Sequence, residues 1–188
     1  RQAELLSQKY WVVVANPPYM GSSSFNPIVK KYVEINYQRG KGDLFAAFME
    51  RCLELTCANG LMGTINQHSW MFLSSYEDLR KAIVDDFCIE NMLHLGYGIF
   101  RELNSKVVQS TAFIIRNIKS FQNHQGIFVR LLDFQGDENR SRKKTLEAIA
   151  NPDCGYLYHA NADDFAKIPG SAIAYWLSAK AINIFNTA

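Results

Sequence analysis

The strongest constraint on the fold is a short apolar run that ends in two prolines. Residues Trp11 to Ala15 read WVVVA, and Asn16-Pro17-Pro18-Tyr19 follows directly. β-branched residues favour strands, and a continuous apolar run is typical of a strand that is buried within a parallel sheet. A proline pair ends such a strand because it removes two amide donors from the ladder. The run therefore predicts a buried strand over 11–15 that leads into a rigid turn.

Strand and helix patterns alternate after this turn. Asp43 is placed to cap a helix whose apolar residues recur at helical spacing up to Leu55, and Asn59-Gly60 is expected to end that helix. A second helix is predicted over 75–87, and further strands over 61–65, 88–95, 106–118 and 128–134. This order predicts an α/β layered sheet. No helix separates the last two strands, so they are expected to end the sheet as a hairpin.

The remaining segments are less regular. A short helix is expected over 1–9, and a surface loop over 20–42 with a helix near 28–37 and flexibility around Gly40. The later predictions are a basic, amphipathic helix over 137–151, a linker-like break at Ile168-Pro169-Gly170 and a last helix over 175–185. We place one domain at 1–135 and a small C-terminal extension at 136–188.

Composition excludes several classes of protein. The chain has 188 residues, 48% hydrophobic and 20% charged, which is ordinary for a globular protein. Its net charge of +2 is too mild to indicate nucleic-acid binding by itself. The four cysteines lack zinc or redox spacing, so we expect no metal and reduced thiols in a cytoplasmic protein. No apolar run is long enough to span a membrane, and no signal-peptide pattern is present. The chain does not begin with Met, and we expect it to be part of a longer protein.

The turn carries a pair of hydrogen-bond acceptors, the side-chain oxygen of Asn16 and the carbonyl of Pro17. Ligands of open α/β sheets bind at the carboxyl ends of strands, where this turn lies. Two acceptors suit a planar amine, such as that of adenine, because binding both hydrogens favours a pyramidal nitrogen whose lone pair can attack a methyl group. Pro18 stiffens the turn, and Tyr19 is suited to stack on a base that has left its duplex. A plain turn after a strand is the alternative.

Three further segments accompany the turn: GDLFAAF at 42–48, NGLMGTI at 59–65 and LGYGIF at 95–100. In this order and spacing the chain resembles the gamma-class adenine-N6 DNA methyltransferases over residues 10–118, and more weakly over 119–188. Within that class it is similar to the large enzymes of restriction-modification and BREX-type phage-defence systems. The segment IPGSAIAYW at 168–176 resembles the start of their target-recognition region. The resemblance implies the C-terminal half of a Rossmann-like S-adenosylmethionine methyltransferase sheet, with double-stranded DNA as the partner.

The resemblance also implies roles for individual residues. Asn16 and Pro17 would bind the target amine, Tyr19 would stack on the adenine, and Phe100 would pack against the flipped base from another side. Asp43 and Phe45 would lie near the cofactor. Each of the last three has a structural alternative, since Asp43 can serve as a helix cap and both phenylalanines can be core rings.

The chain departs from the family pattern in its cofactor motifs. The glycine-rich loop and the acidic residue that bind S-adenosylmethionine lie upstream of the turn in the family, and residues 1–10 contain neither. We therefore expect this chain by itself to bind S-adenosylmethionine weakly or not at all and to be inactive. A sheet without its neighbouring strands leaves an edge exposed, which predicts a homodimer, self-association or cover by the N-terminal helix.

Basic residues offer a second set of candidates. Lys143 and Lys144, within the run from Arg140, are predicted to meet DNA phosphates, and a solvated helix end is the alternative. Four further basic residues have the same prediction: Lys30, Lys31, Arg39 and Lys41. His68 follows the second strand and is a weaker candidate for the base pocket. A lone histidine is more often structural.

Three other functions remain open from these residues. A planar amine is also the target in RNA-guanine and protein-glutamine methyltransferases. A non-catalytic DNA-binding module would keep the fold without the chemistry. An accompanying nuclease would lie elsewhere, because no cluster of acidic residues with lysine suggests one in these residues.

Overall fold

The computed structural model describes residues 2–99, 108–119 and 124–185. Its strands are β1 Tyr10–Ala15, β2 Thr56–Gln67, β3 Cys88–Gly96, β4 Ser110–Arg116, β5 Gly126–Arg130 and β6 Leu157–Ala160. Its helices are α1 Gln2–Ser7, α2 Pro27–Asn36, α3 Leu44–Leu55, α4 Glu77–Asp86, α5 Glu138–Ala150, α6 Ala162–Ala166 and α7 Ala179–Phe185. These elements confirm the predicted α/β class.

All six strands form one mixed sheet in the order β1-β2-β4-β3-β5-β6. β1 is parallel to β2, and β3 is parallel to β5. β4 lies between β2 and β3 and is antiparallel to both. The predicted hairpin between the strands at 106–118 and 128–134 is therefore wrong, because β3 separates β4 from β5. The start of that first predicted strand, 106–107, lies outside the described residues.

One face of the sheet carries the core. α3 and α4 pack on this face, and the rings and aliphatic chains between them are almost fully buried. Phe45, Met62, Trp70, Ile83 and Ile115 each have essentially no exposed surface. Burial of one such side chain stabilises the fold by about 1.5–3 kcal/mol. The core therefore holds the carboxyl ends of β1 and β2 in a fixed relation.

The opposite face of the sheet is covered over β3 and β5, where Val129 and Leu93 pack with Ala148 of α5, and it is open over β1. Val12 and Val14 of β1 are 61% and 78% exposed, whereas Val13 and Ala15 point into the core. The prediction that the strand at 11–15 is buried is thus wrong for this chain, since β1 is an edge strand with one covered face. A trough of about 450 Å³ runs over the open face, and Asn16 lies among its lining residues.

Two turn signals have a different meaning in the structure from the predicted one. α3 ends at Leu55, and Asn59, with φ of 65°, lies within β2 where the register to β1 shifts. Asn59-Gly60 therefore marks an irregularity in a strand rather than the end of a helix. Gly40, predicted to be flexible, is buried and donates its amide to Glu50 Oε1 at 2.6 Å. A β-carbon at Gly40 would lie 2.5 Å from the α3 backbone, so glycine is needed for this close approach.

The C-terminal segments pack onto the same sheet. α5 confirms the helix predicted over 137–151, and β6 pairs with β5. The predicted linker-like break at 168–170 is instead a packed turn, because buried Arg80 donates from Nε to Gly170 O at 2.9 Å. The last helix starts at Ala179, since Tyr175 is used in the core. The predicted boundary at 135/136 stays a prediction, and residues on both sides of it contribute strands to one sheet.

Candidate active site

The turn Asn16–Tyr19 lies at the carboxyl end of β1, beside the carboxyl end of β2, where Ala15 pairs with Thr64. Pro17 is buried, and Asn16 is exposed. Among the residues that the structure describes, the Asn16 side chain makes no hydrogen bond. A rigid turn thus presents an amide oxygen to a ligand at this edge of the sheet.

Tyr19 is held from two sides. Its ring meets Phe45 edge to face, with centroids 6.0 Å apart, and its hydroxyl donates to Ile65 O at 3.4 Å. Burial raises the pKa of Tyr19. Phe45 has no exposed surface and also packs against Tyr76 at 5.6 Å. Phe45 is therefore a core ring that contacts the site through Tyr19, and its predicted place near a cofactor stays a prediction.

Asp43 connects the turn to α3. Its Oδ1 accepts from Phe45 N at 3.2 Å, which confirms the predicted helix cap, and from Met20 N at 3.0 Å. The amide of Leu44 donates to Met20 O at 2.9 Å, so the two segments are joined in both directions. Burial raises the pKa of Asp43, and the backbone amides of Met20, Phe45 and Leu44 oppose that shift. Burial, together with the negative charge of the Asp43 carboxylate, raises the pKa of Tyr76 to about 12. The predicted place of Asp43 near a cofactor stays a prediction.

A hydrogen-bonded chain of three side chains, half-buried His68 and buried His94 and Tyr175, reaches the same edge. His68 Nδ1 lies 3.1 Å from His94 Nε2, and His94 Nδ1 lies 3.0 Å from the Tyr175 hydroxyl. His94 is 1% exposed, and burial, followed by His68 and Arg130, lowers its pKa to about 3. The sequence did not reveal this chain because its partners are 26 and 81 residues apart. Only the position of His68 after β2 pointed to it.

The predicted phosphate contacts differ in their surroundings. Lys144 Nζ is 2.8 Å from Glu147 Oε2 and lies over the Phe134 ring, whereas Lys143 is exposed. α5 begins beside the candidate site, because Tyr97, just after β3, accepts the amide of Gly136 at 3.1 Å. Of the two lysines, Lys143 is the one whose charge faces solvent.

The other basic candidates are less favourable. Arg39 and Lys41 line a cavity of about 470 Å³ together with three acidic residues of α4, Asp78, Asp85 and Asp86. With Lys81 also in the lining, basic and acidic groups balance there, so the cavity offers a phosphate no net attraction. Lys30 and Lys31 are exposed on α2. Phe100, predicted to pack on the base, lies outside the described residues.

One group of metal-type ligands occurs in the described part of the chain. Atoms of Cys88, Glu90 and His124 lie within 4.8 Å of one another. The group lies at the opposite edge of the sheet from the turn, and Arg116 forms an ion pair with Glu90. We assign it no part in the site. Among the described residues, no helix has the length and apolar character needed to cross a bilayer.

Comparison with known proteins decides the family. The family model described as Eco57I restriction-modification methylase matches residues 2–100. The chain belongs to this family. It is 42% identical to the adenine-specific methyltransferase PglX of Lacticaseibacillus casei (strain Zhang), a match that covers 98% of this chain and 15% of that protein. It is 40% identical to the adenine-specific methyltransferase BrxX of Escherichia coli O9:H4 (strain HS), again over 98% of this chain and 15% of that protein.

A solved structure is similar in fold. The methyltransferase subunit of a type I restriction-modification system from Streptococcus thermophilus matches with a TM-score of 0.59 at 16% identity, over 88% of this chain and 37% of that one. This agreement supports a Rossmann-like methyltransferase sheet. The chain spans about 15% of the length of the curated relatives that it matches.

Proposed function

We propose that this protein is an S-adenosylmethionine-dependent methyltransferase that modifies the N6 amine of adenine in double-stranded DNA, in restriction-modification or phage defence. The observation that carries the proposal is the exposed Asn16 amide on a rigid proline turn, with Tyr19 fixed beside it. The names of the relatives, adenine-specific methyltransferases, agree with this chemistry.

In this proposal the turn binds the amine. Asn16 Oδ1 and the Pro17 carbonyl accept its two hydrogens, and both bonds strengthen as positive charge develops on the nitrogen. Pro17 and Pro18 hold the acceptors in place, so little ordering is needed during the reaction. Tyr19 stacks on the flipped base, and its contacts with Phe45 and Ile65 fix the height of the ring.

The described residues do not supply a complete cofactor site. S-adenosylmethionine, when bound, provides the methyl group, and its recognition needs an open glycine turn and a free carboxylate. At this edge Gly96 and Gly98 have positive φ, but Gln135 and Gly136 fill the space beside them. Asp43 already accepts two amides. We therefore assign most cofactor contacts to other parts of the protein, and expect the isolated chain to bind the cofactor weakly and to be inactive.

DNA would approach along the carboxyl edge of the sheet. Lys143 on α5 is the phosphate contact that its exposure favours, and Lys144 is weaker because Glu147 holds it. We keep Phe100 as the second ring against the flipped base, on the resemblance alone. The exposed side of β1 is the surface through which the isolated chain would self-associate.

Nucleoside mass spectrometry tests the proposal. DNA and RNA from cells that express the full-length protein would be compared with samples from Asn16→Ala and Asn36→Ala cells. We expect N6-methyladenine in DNA with the unaltered protein and with Asn36→Ala, which changes an exposed asparagine on α2. With Asn16→Ala we expect a loss of about 100- to 1,000-fold in rate, as for removal of one transition-state hydrogen bond. A methylated guanine in RNA or a methylated glutamine would refute the assignment to DNA adenine, and no new methylation would favour a binding module.

A further inference from the structure

The chain Tyr175–His94–His68 ends at the edge of the sheet that carries the candidate active site. His68 follows β2 directly, three residues after Ile65, whose carbonyl binds Tyr19. Its ring makes one hydrogen bond among the described residues, through Nδ1 to His94. The second ring nitrogen, Nε2, is not among the buried, unpartnered polar atoms of the described chain. His68 therefore offers one ring nitrogen to a ligand at the edge that carries the turn.

The buried partners decide which tautomer His68 adopts. Tyr175 is 3% exposed, and within the described part of the chain its hydroxyl makes a hydrogen bond only to His94. The hydrogen of that hydroxyl is satisfied only if Tyr175 donates to His94 Nδ1. A neutral His94 then carries its hydrogen on Nε2 and donates to His68 Nδ1. A neutral His68 is left with its hydrogen on Nε2, pointing away from the chain.

Both imidazoles are kept neutral, and this preserves the direction of the hydrogen bonds from Tyr175 to His68. Burial lowers the pKa of both His68 and His94. The hydrogen bonds thus run one way, from Tyr175 through His94 to His68, and the end that is accessible is an N–H donor.

We propose that His68 donates from Nε2 to a ring nitrogen of the target adenine, and that His94 and Tyr175 are positioning residues that hold His68 in the donor tautomer. This inference rests on the proposed function. Beside its amine, adenine presents only acceptors, N1 on one side and N7 on the other. Guanine has a carbonyl in place of that amine and an N–H at N1. A donor at the sheet edge that carries the acceptor pair of the turn therefore matches adenine. Segment 168–178, which carries Tyr175, contributes to base selection without touching the base.

A structural role alone would explain some of the same contacts. Tyr175 stacks on Phe128 with centroids 4.8 Å apart, so it also anchors its segment. The two roles differ in what a hydroxyl deletion does. Tyr175→Phe keeps the ring packing and removes only the hydroxyl donor. His68→Gln places an amide N–H near the position of Nε2, and because an amide has no tautomers, this donor does not depend on His94 or Tyr175.

The test uses the full-length protein on duplexes that contain its mapped target, with adenine, 1-deazaadenine or 7-deazaadenine at the methylated position. On adenine, His68→Ala should lower kcat/KM by about 10- to 100-fold, the range for an acceptor left without its donor. On the analogue that lacks the contacted nitrogen, kcat/KM of the unaltered protein should be lower by a similar factor, and His68→Ala should cause no further loss of kcat/KM. His159→Ala, an exposed histidine on β6, is the matched control and should change nothing.

The positioning role has its own readout. Tyr175→Phe should lower kcat/KM in the natural background and have no effect in the His68→Gln background. Equal losses from His68→Ala on adenine and on both analogues would overturn the base contact. Equal effects of Tyr175→Phe in both backgrounds would overturn the tautomer role. If the unaltered protein methylates no adenine, the proposed function itself fails. That result differs from the two outcomes that would overturn the base contact or the tautomer role.

Discussion

Removal of the Asp43 carboxylate should loosen the turn without unfolding the protein. Asp43 is 8% exposed and accepts from two amides, those of Met20 and Phe45. Asp43→Ala leaves both amides without this partner. Loss of a helix cap costs about 1 kcal/mol, and an orphaned amide that is only partly buried costs about 1–2 kcal/mol. We expect a local destabilisation of about 2–3 kcal/mol, which is a factor of about 30 to 150 in the opening equilibrium.

Asp43→Asn is the matched variant. An asparagine oxygen can accept from the same two amides and is an equally good cap. It also removes a charge that burial disfavours. Because burial raises the pKa of Asp43 above its ordinary value of 3.8, the carboxyl group stays protonated to a higher pH in the folded state than in the unfolded state. The carboxylate therefore lowers stability progressively as pH rises from that value through the folded pKa. Asp43→Asn should abolish this dependence and keep the turn closed at neutral pH.

Hydrogen exchange followed by mass spectrometry on the full-length protein measures this opening. Peptides that cover residues 18–24 and 43–48 should exchange about 30- to 150-fold faster in Asp43→Ala than in the unaltered protein, and nearly unchanged in Asp43→Asn. Peptides from α5 are the internal control. Equal protection of 18–24 in all three proteins would refute the tether between Met20 and Asp43. Equal acceleration in both variants would show that charge, and not hydrogen bonding, closes the turn.

Three further predictions concern other buried or charged groups. Arg80→Ala should destabilise the protein by about 3–5 kcal/mol, because three carbonyls lose their donor, and should expose the segment near Gly170 to limited proteolysis. Lys81→Ala, which removes a surface ion pair, should leave stability almost unchanged. Lys143→Glu should weaken DNA binding and lower the slope of log K against log salt by at least about 1, and Lys144→Glu should have a smaller effect. If both variants and the unaltered protein give the same slope, Lys143 does not contact a phosphate. His94 has a pKa of about 3 in the folded protein and binds a proton more readily when the protein is unfolded, so its contribution to folding stability is lost as pH falls from about 6.5 towards 3. In thermal melts, the melting temperature of His94→Gln should therefore fall less steeply with decreasing pH than that of the unaltered protein. The same fall in both proteins would argue against a neutral, buried His94.

The sequence by itself determined the local elements near the site and the family. The apolar run into Asn16-Pro17-Pro18-Tyr19, the cap at Asp43 and the strand at Cys88–Gly96 are written in neighbouring residues, through β-branching, capping and proline geometry. For the same reason the family could be recognised from short segments in order. These signals act within a few residues, and tertiary packing does not change them.

Only the tertiary structure decided which strands are neighbours and which distant side chains meet. β4 lies between β2 and β3, against the hairpin that chain order predicted, because strand pairing depends on the faces that must be buried rather than on adjacency. Gly40 and Asn59 carry loop and helix-end signals, yet close packing and a register shift determine their roles. His68, His94 and Tyr175 lie on three separate elements, and no local pattern connects them. They form one hydrogen-bonded chain because the core brings β2, β3 and the segment after Gly170 together, where each buried polar group must find a partner.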